Sequence, residues 1–356
     1  MSQSTGFSNV IDERFDASSG FTVVAAVGAL SLLATFVLFI VGSGLTAVPF
    51  VVFLAAVAYG WMFHQADTAW GLSLMTTFVG IVVLGLILVF LFIEAEKAFE
   101  AAGLSLLTRA AVPVWSPSQG IYGLQVAIHG TIVTTVIATL IAGPLGVAGA
   151  LFISEIAPQR VGEVVKPAIE MLAGIPSIVY GFIGFAILNR YLFYELQLST
   201  QGSLFLAGVM IGLMALPTVV SVAEDAITSV PESMKSGSLA LGATDWQTMK
   251  GITLPAAFSG VAAAINLGIG RAVGETMAAT VILGNVAGEF PNPLFDAFAS
   301  TATLTSLIAS QYGDAAETQL SALFVAGVVL FVIVMFLSLL SQIIERRMRR
   351  KLEGDS

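Results

Sequence analysis

Arg271 and Glu275 are the two residues best placed to do chemistry in an otherwise apolar run, GIGRAVGETMAATVILGN (268–285). Four apart on a helix, they would share one face. About 22 Å of helix separates Ala256 from Arg271 and about 21 Å separates Arg271 from Asn285, which puts the arginine near mid-span. A charge at that depth costs at least a few kcal/mol and usually faces a protein interior or an aqueous path. The guanidinium offers a planar donor fork suited to a tetrahedral oxyanion. Glu275 would hold that fork in position and keep the anion from binding too tightly. The competing reading is an internal ion pair that only staples two helices. Gly268, Gly270 and Gly274 keep the surrounding face small enough to admit a ligand, and Asn266, Thr276 and Asn285 add polar groups along the span.

The elements that must position these groups follow from composition. Of 356 residues, 57% are hydrophobic and 10% charged, which excludes an ordinary soluble domain. The expected fold is all-α and polytopic, with about eight transmembrane helices near 21–41, 45–63, 72–93, 126–153, 168–190, 203–224, 256–285 and 319–344. The first two would form a tight hairpin through GSGL, and the polar segment 94–125 separates three spans from five. Residues 1–20 are polar, acidic and without a basic lead-in, so they read as a retained tail rather than a signal peptide. The ending ERRMRRKLE (345–353) is strongly basic, which predicts a cytoplasmic tail over 346–356. Counting back through eight spans places both termini inside, and with them the loops holding Arg160, Lys166, Lys235 and Lys250. Lys97 and Arg109, in the segment that falls outside, count weakly against this orientation.

The chain has no cysteine and two histidines. Thiol catalysis, cysteine metal sites and a histidine metal centre are therefore not expected, and His129 has no acidic partner nearby in sequence. None of the lysines follows a glycine, so no phosphate-cradling P-loop is present and ATP must be handled elsewhere. A net charge of −9 attracts anions poorly from a distance. Capture then belongs to a partner, unless concentrated salt screens the field; nucleic acid is not expected as a partner.

Paired helix breakers mark Gly143-Pro144, Gly174/Pro176 and Pro217. Backbone freed by such residues is tolerated in a membrane only inside protein or along a wet cavity, so 126–224 reads as pathway. Between two spans lies SVPESMKSGSLALGATDWQTMKGITLP (229–255), too regular to be a linker. Thr244 and Gln247 form a capping box that predicts a short helix from Asp245. Trp246 and Met249 would share its face, Leu239 and Leu241 would lie on a preceding turn broken at Gly242, and Pro255 would stop the pattern. An amphipathic elbow with an aromatic knob fits a partner's groove, or else a lipid surface.

Gly242, nine residues, then Ile252-Thr253-Leu254-Pro255 resembles the conserved cytoplasmic loop of ABC-importer permeases. With MLAGIPSIVYGFIGF (171–185), GIGRAVGETMAATVILGN and the ending LTSLIASQYGDA…SALFVAGVVLFVIVMF, the chain over about 72–345 resembles the PstC subunit family of phosphate importers. The resemblance implies a type I, MetI-like permease core over 72–345, an added hairpin over 21–63 and an ATPase-coupling loop over 225–255. It implies a membrane subunit that binds no cofactor itself, pairs with a homologous PstA-like permease and docks two copies of a cytoplasmic ATPase that uses ATP-Mg. Phosphate would come from an external binding protein.

By the same resemblance, Arg271 and Glu275 occupy the family's intramembrane Arg and Glu, and Gly242, Asp245, Trp246, Met249, Leu254 and Pro255 fall in its coupling element. Ser236-Gly237-Ser238 stands where the family usually begins with an acidic residue. The expected function is transport, not catalysis. Alternatives are a permease for sulfate or molybdate, an ion-gradient-driven secondary transporter, or a membrane-anchored scaffold.

Overall fold

The computed structural model describes residues 19–198 and 200–353. The tail expected over 1–20 therefore lies almost wholly outside the described residues, as do the last three residues. Helices dominate: α1 (Ser19–Ile40), α2 (Ala47–Phe63), α3 (Gln65–Ala102), α4 (Gln125–Leu151), α5 (Gln159–Ala173), α6 (Ser177–Ile183), α7 (Leu204–Thr228), α8 (Glu232–Ala240), α9 (Asp245–Thr248), α10 (Phe258–Val273), α11 (Met277–Ile282), α12 (Leu304–Gln311) and α13 (Glu317–Glu353). A two-residue antiparallel ladder, Trp115 opposite Tyr122, sits in the segment before α4.

Among the described residues, six helices are long and apolar enough to cross a bilayer: α1, α3, α4 with its closing turn, the run Ser177–Glu195, α7 and α13. Ala47–Phe63 is shorter, and a broken pair, Asp245–Ala256 with Phe258–Val273, bends by 71°. Two expected spans thus differ from the sequence reading. The one placed at 168–190 breaks at Gly174–Pro176: α5 before it carries Arg160, Glu163, Lys166 and Glu170 on an amphipathic surface, and the apolar run begins only at Ser177. The one placed at 256–285 stops at Val273, with Gly274 at its C-cap, and resumes as the short α11. The first interruption falls at the marked breakers Gly174 and Pro176; the second, at Gly274, was not anticipated from the sequence. Conversely, Pro144 and Pro217 lie inside continuous helices, so they do not break their spans.

The chain divides into two compact units, Met1–Val89 and Phe90–Ser356. The boundary falls inside α3, earlier than the polar segment 94–125. That segment packs into the second unit: Val114 N–H donates to Gly288 O at 2.7 Å, Trp115 Nε1 to Gln311 Oε1 at 3.0 Å and Ser321 Oγ to Glu94 O at 2.6 Å. Leu106, Leu124, Leu304, Leu307 and Val325 are fully buried in the same cluster.

The second unit is organised on α7, whose small residues let neighbouring backbones approach closely. A Cβ on Gly208 would fall 2.6 Å from Ile137 Cβ, and one on Gly212 would fall 3.0 Å from the Ala138 carbonyl oxygen. Farther along, Gly146 of α4 and Gly268 of α10 both close onto Val219. The helices α4, α7 and α10 therefore meet through glycines, which fixes the wall from which Arg271 projects.

Candidate functional site

Arg271 sits in the last turn of α10, about 20 Å along it from Phe258. Its Nη1 donates to Thr218 Oγ1 of α7 at 3.2 Å, and the side chain is otherwise exposed in this chain. Glu275 lies past the helix end. Its Oε1 accepts the Ala278 N–H at 3.1 Å, at the start of α11, and its backbone carbonyl accepts Thr305 Oγ1 at 2.8 Å.

The shared face expected of Arg271 and Glu275 is therefore not formed, and no ion pair joins them among the described residues. Gly274 ends the helix between them. The cation lies among the free carbonyls of one helix C-terminus and the carboxylate beside the free amides of the next N-terminus, each complementing the local dipole. The ion-pair staple fails for the same reason.

Space is distributed unevenly around the guanidinium. Gly268 is filled by Val219 and leaves no room for a ligand, contrary to the sequence reading, whereas nothing lies within 4 Å of a Cβ built on Gly270. Thr276 stays at the break, donating to Gly274 O at 3.2 Å. Asn266, five residues before Arg271, lies about 140° round the helix. Asn285 lies beyond α11 in a left-handed conformation, φ 54°, with Nδ2 donating to Thr280 O at 3.0 Å. The structure thus gathers Arg271, Glu275 and Thr276 at one helix break and leaves Asn266 and Asn285 apart from it.

Two residues missed from sequence join the site. Thr218 follows Pro217 in ALPT, a stretch flagged only for its proline. Tyr180, within electrostatic reach of Arg271, donates its hydroxyl to Leu172 O at 3.1 Å across the Gly174–Pro176 break. Tyr180 is a hydroxyl close to a helix interruption, and that conjunction was the available signal for it; Thr218 lies within the continuous α7 and carried no such signal. His129 lies edge-on to Phe290, with ring centroids 6.3 Å apart.

The 225–255 loop forms the expected helical elbow. Thr244 Oγ1 accepts the Gln247 N–H at 3.3 Å and Gln247 Oε1 accepts the Thr244 N–H at 2.9 Å, so the capping box opens a helix at Asp245. Gly242 makes the turn from α8 with φ +86°, a conformation that glycine adopts freely. Trp246 is 66% exposed and Leu241 91% exposed, but Met249 is only 9% exposed. The face expected to carry both Trp246 and Met249 is split, because α9 lasts one turn and passes at Met249 into a wider π-turn, Met249–Thr253, whose phase differs from that of an α-helix. Leu254 and Pro255 begin a last half-turn before the bend into α10, and Leu254 packs on the buried cluster around Val219 and Val261. Ser236 donates back to Glu232 O at 2.9 Å within its own helix. On α5 the Lys166 ammonium is held above its ordinary pKa by the hydrogen bond it donates to the Glu224 carboxylate.

A continuous wall of glycine-packed helices, a charge-bearing break and a helical elbow before the broken span define a transport permease. Residues 142–350 match the family described as binding-protein-dependent transport system inner membrane component, and the chain belongs to that family. It is a multi-pass inner-membrane component, and membership implies an ATPase and a binding protein as partners. Among relatives, the chain is 37% identical over 266 residues to the probable ABC transporter permease protein YqgH of Bacillus subtilis, covering 73% of this chain and 85% of that one. It is 35% identical to the phosphate transport system permease protein PstC of Haemophilus influenzae, covering 76% of this chain and 89% of that one. A probable PstC of Methanocaldococcus jannaschii is 34% identical, with 74% and 88% covered. In fold, the chain is similar to a chain of a bacterial alginate ABC transporter crystallised with its alginate pentasaccharide-bound periplasmic protein, with TM-score 0.53, 16% identity, and 82% of this chain and 98% of that one covered.

Proposed function

We propose that this chain is the PstC-type membrane subunit of an ATP-driven phosphate importer. It pairs with a homologous PstA-like permease, takes phosphate from an external binding protein and is driven by two copies of a cytoplasmic ATPase seated on the 225–255 loop. The observation that carries this reading is the Arg271 guanidinium, exposed at a helix break with one hydrogen bond to Thr218 and open space beside Gly270.

A single contact to a neutral hydroxyl leaves the rest of the donor fork for an oxyanion, whose charge-assisted hydrogen bonds are the stronger ones. Removing the anion from water at that depth is offset by the guanidinium and by no other cation among the site residues named here. Glu275, pinned by Ala278 N–H just past the break, supplies the opposing field that lets the anion leave, which conduction requires as much as entry. Asn266, Thr276 and Asn285 are proposed as polar points along the same path, with Asn266 and Asn285 at a distance from the arginine.

Orientation belongs to the same proposal. Arg160, Lys166, Lys235 and Lys250 lie in the segments 152–173 and 224–253, which ion pairs join at one end of the second unit. The 286–318 loop without Lys or Arg joins the segment 94–125 at the other. The basic end is cytoplasmic by the positive-inside rule, and both termini lie on that side.

Uptake of radiolabelled phosphate by the reconstituted complex tests the substrate. Arsenate alone should compete; competition by sulfate or molybdate would turn the assignment to another oxyanion. Uptake that persists without any ATPase subunit would point instead to a gradient-driven carrier.

A further inference from the structure

Three ion pairs occur among the described residues, and they differ in setting. Lys97 and Glu317 are 62% and 78% exposed, so that pair is water-screened and weakly held. Lys166 Nζ meets Glu224 Oε2 at 2.6 Å. Lys235 Nζ meets Glu155 Oε1 at 2.6 Å with only 14% and 12% of the two side chains exposed. Removing charges from water is tolerated only where geometry offsets the desolvation, and breaking one partner then leaves an uncompensated charge.

What the Lys235–Glu155 pair connects gives it meaning. Lys235 lies on α8, the first helix of the 225–255 loop, and Glu155 lies in the π-turn Phe152–Ile156 that closes α4. Apart from Thr228, which turns back to Glu224 within α7, it is the one side-chain hydrogen bond among the described residues that leaves this loop: Ser236 turns back to Glu232, and Ser238 pairs with Thr248 inside the loop. From Glu155 the route continues through rigid packing, because Gly146 of α4 closes on Val219 of α7, next to the Thr218 that holds Arg271. Val230 and Leu254, near the two ends of the loop, are held by apolar packing, which is non-directional and lets the elbow between them shift; the ion pair at Lys235 fixes a point on that elbow to α4.

We infer that the Lys235–Glu155 pair is a mechanical tie that passes displacement of the ATPase-facing loop to α4 and so to the α7 wall beside Arg271. Both are positioning residues of the transport cycle, and the inference rests on reading 225–255 as the ATPase-docking element. The absence of cysteine from the chain supplies a clean reporter. Gly270→Cys, at a position with nothing within 4 Å, is labelled with a small thiol reagent in the assembled, reconstituted complex with and without ATP, while ATP hydrolysis and phosphate uptake are measured in the same complexes without the added cysteine.

Lys235→Met and Glu155→Gln should each keep hydrolysis within about twofold, lose the ATP-dependent change in labelling rate and import about tenfold less per ATP. The charge swap Glu155→Lys with Lys235→Glu should restore labelling change and import together. Single variants that keep the ATP-dependent labelling change overturn the tie. Loss of the assembled complex in both singles, unrescued by the swap, overturns it in favour of a purely structural pair. A cysteine-free complex that hydrolyses ATP but imports no phosphate would defeat the substrate assignment, while the labelling of the Gly270→Cys complex still judges the tie.

Discussion

The helices α1 and α7 are both apolar enough to cross a membrane, yet 11% of the most apolar stretch of α1 is buried against 61% of that of α7. Apolar content does not separate them; glycine placement does. On α7, Gly208 and Gly212 each admit a neighbour closer than any side chain would allow, while a Cβ on Gly28 of α1 would meet only Ala56 Cβ at an ordinary 3.9 Å. In lipid, where burying one more leucine gains little, close backbone approach is what holds one helix against another. The large side chains of α1, among them Leu30, Phe36 and Phe39, are exposed. By this comparison α7 is the helix its neighbours pack around and α1 a helix with apolar faces to spare.

The comparison can be broken at several points. Arg271→Gln, which removes the charge held against α7, should lower uptake by about a hundredfold or more, with the ATPase still bound when the complex is purified. Loss of the assembled complex instead would make Arg271 an architectural residue. Trp246→Ala should lower phosphate imported per ATP hydrolysed by about tenfold; normal coupling would show that the exposed indole rests on lipid. Gly212→Ala forces a methyl to 3.0 Å from the Ala138 carbonyl oxygen and should destabilise the permease by about 1–3 kcal/mol, read as a lower midpoint in thermal unfolding of the purified complex. Gly28→Ala should leave that midpoint unchanged or raise it slightly, since alanine favours helix by up to about 1 kcal/mol over glycine. Equal loss from both alanines would erase the distinction between the two helices.

Much of the architecture was legible in the sequence because hydropathy reports what leaves water. Each expected span corresponds to helix, and the capping box at Thr244 and Gln247 forms where it was read. What escaped was a backbone interruption inside an apolar run. The Gly174/Pro176 pair was marked as a breaker and does interrupt its span; the break at Gly274 was not marked, because a lone glycine within a helical period is no stop signal and the reading ran straight across it. The same oversight misassigned Arg271 and Glu275 to one face: helical periodicity holds only while the helix lasts, and it ends at Val273. Thr218 was out of reach for another reason. It lies 53 residues before Arg271, and only the glycine contacts of α7 with α4 and α10 bring the two helices together.

The bend of 71° between Asp245–Ala256 and Phe258–Val273 gives the molecule a bell-crank. Its short arm lies near the exposed indole and its long arm ends in the guanidinium. A shove delivered along the short arm reaches the far tip mostly as a sideways sweep rather than a piston stroke. If Arg271 serves the anion as proposed, a guanidinium moved that way would slide across the anion's route instead of plunging along it.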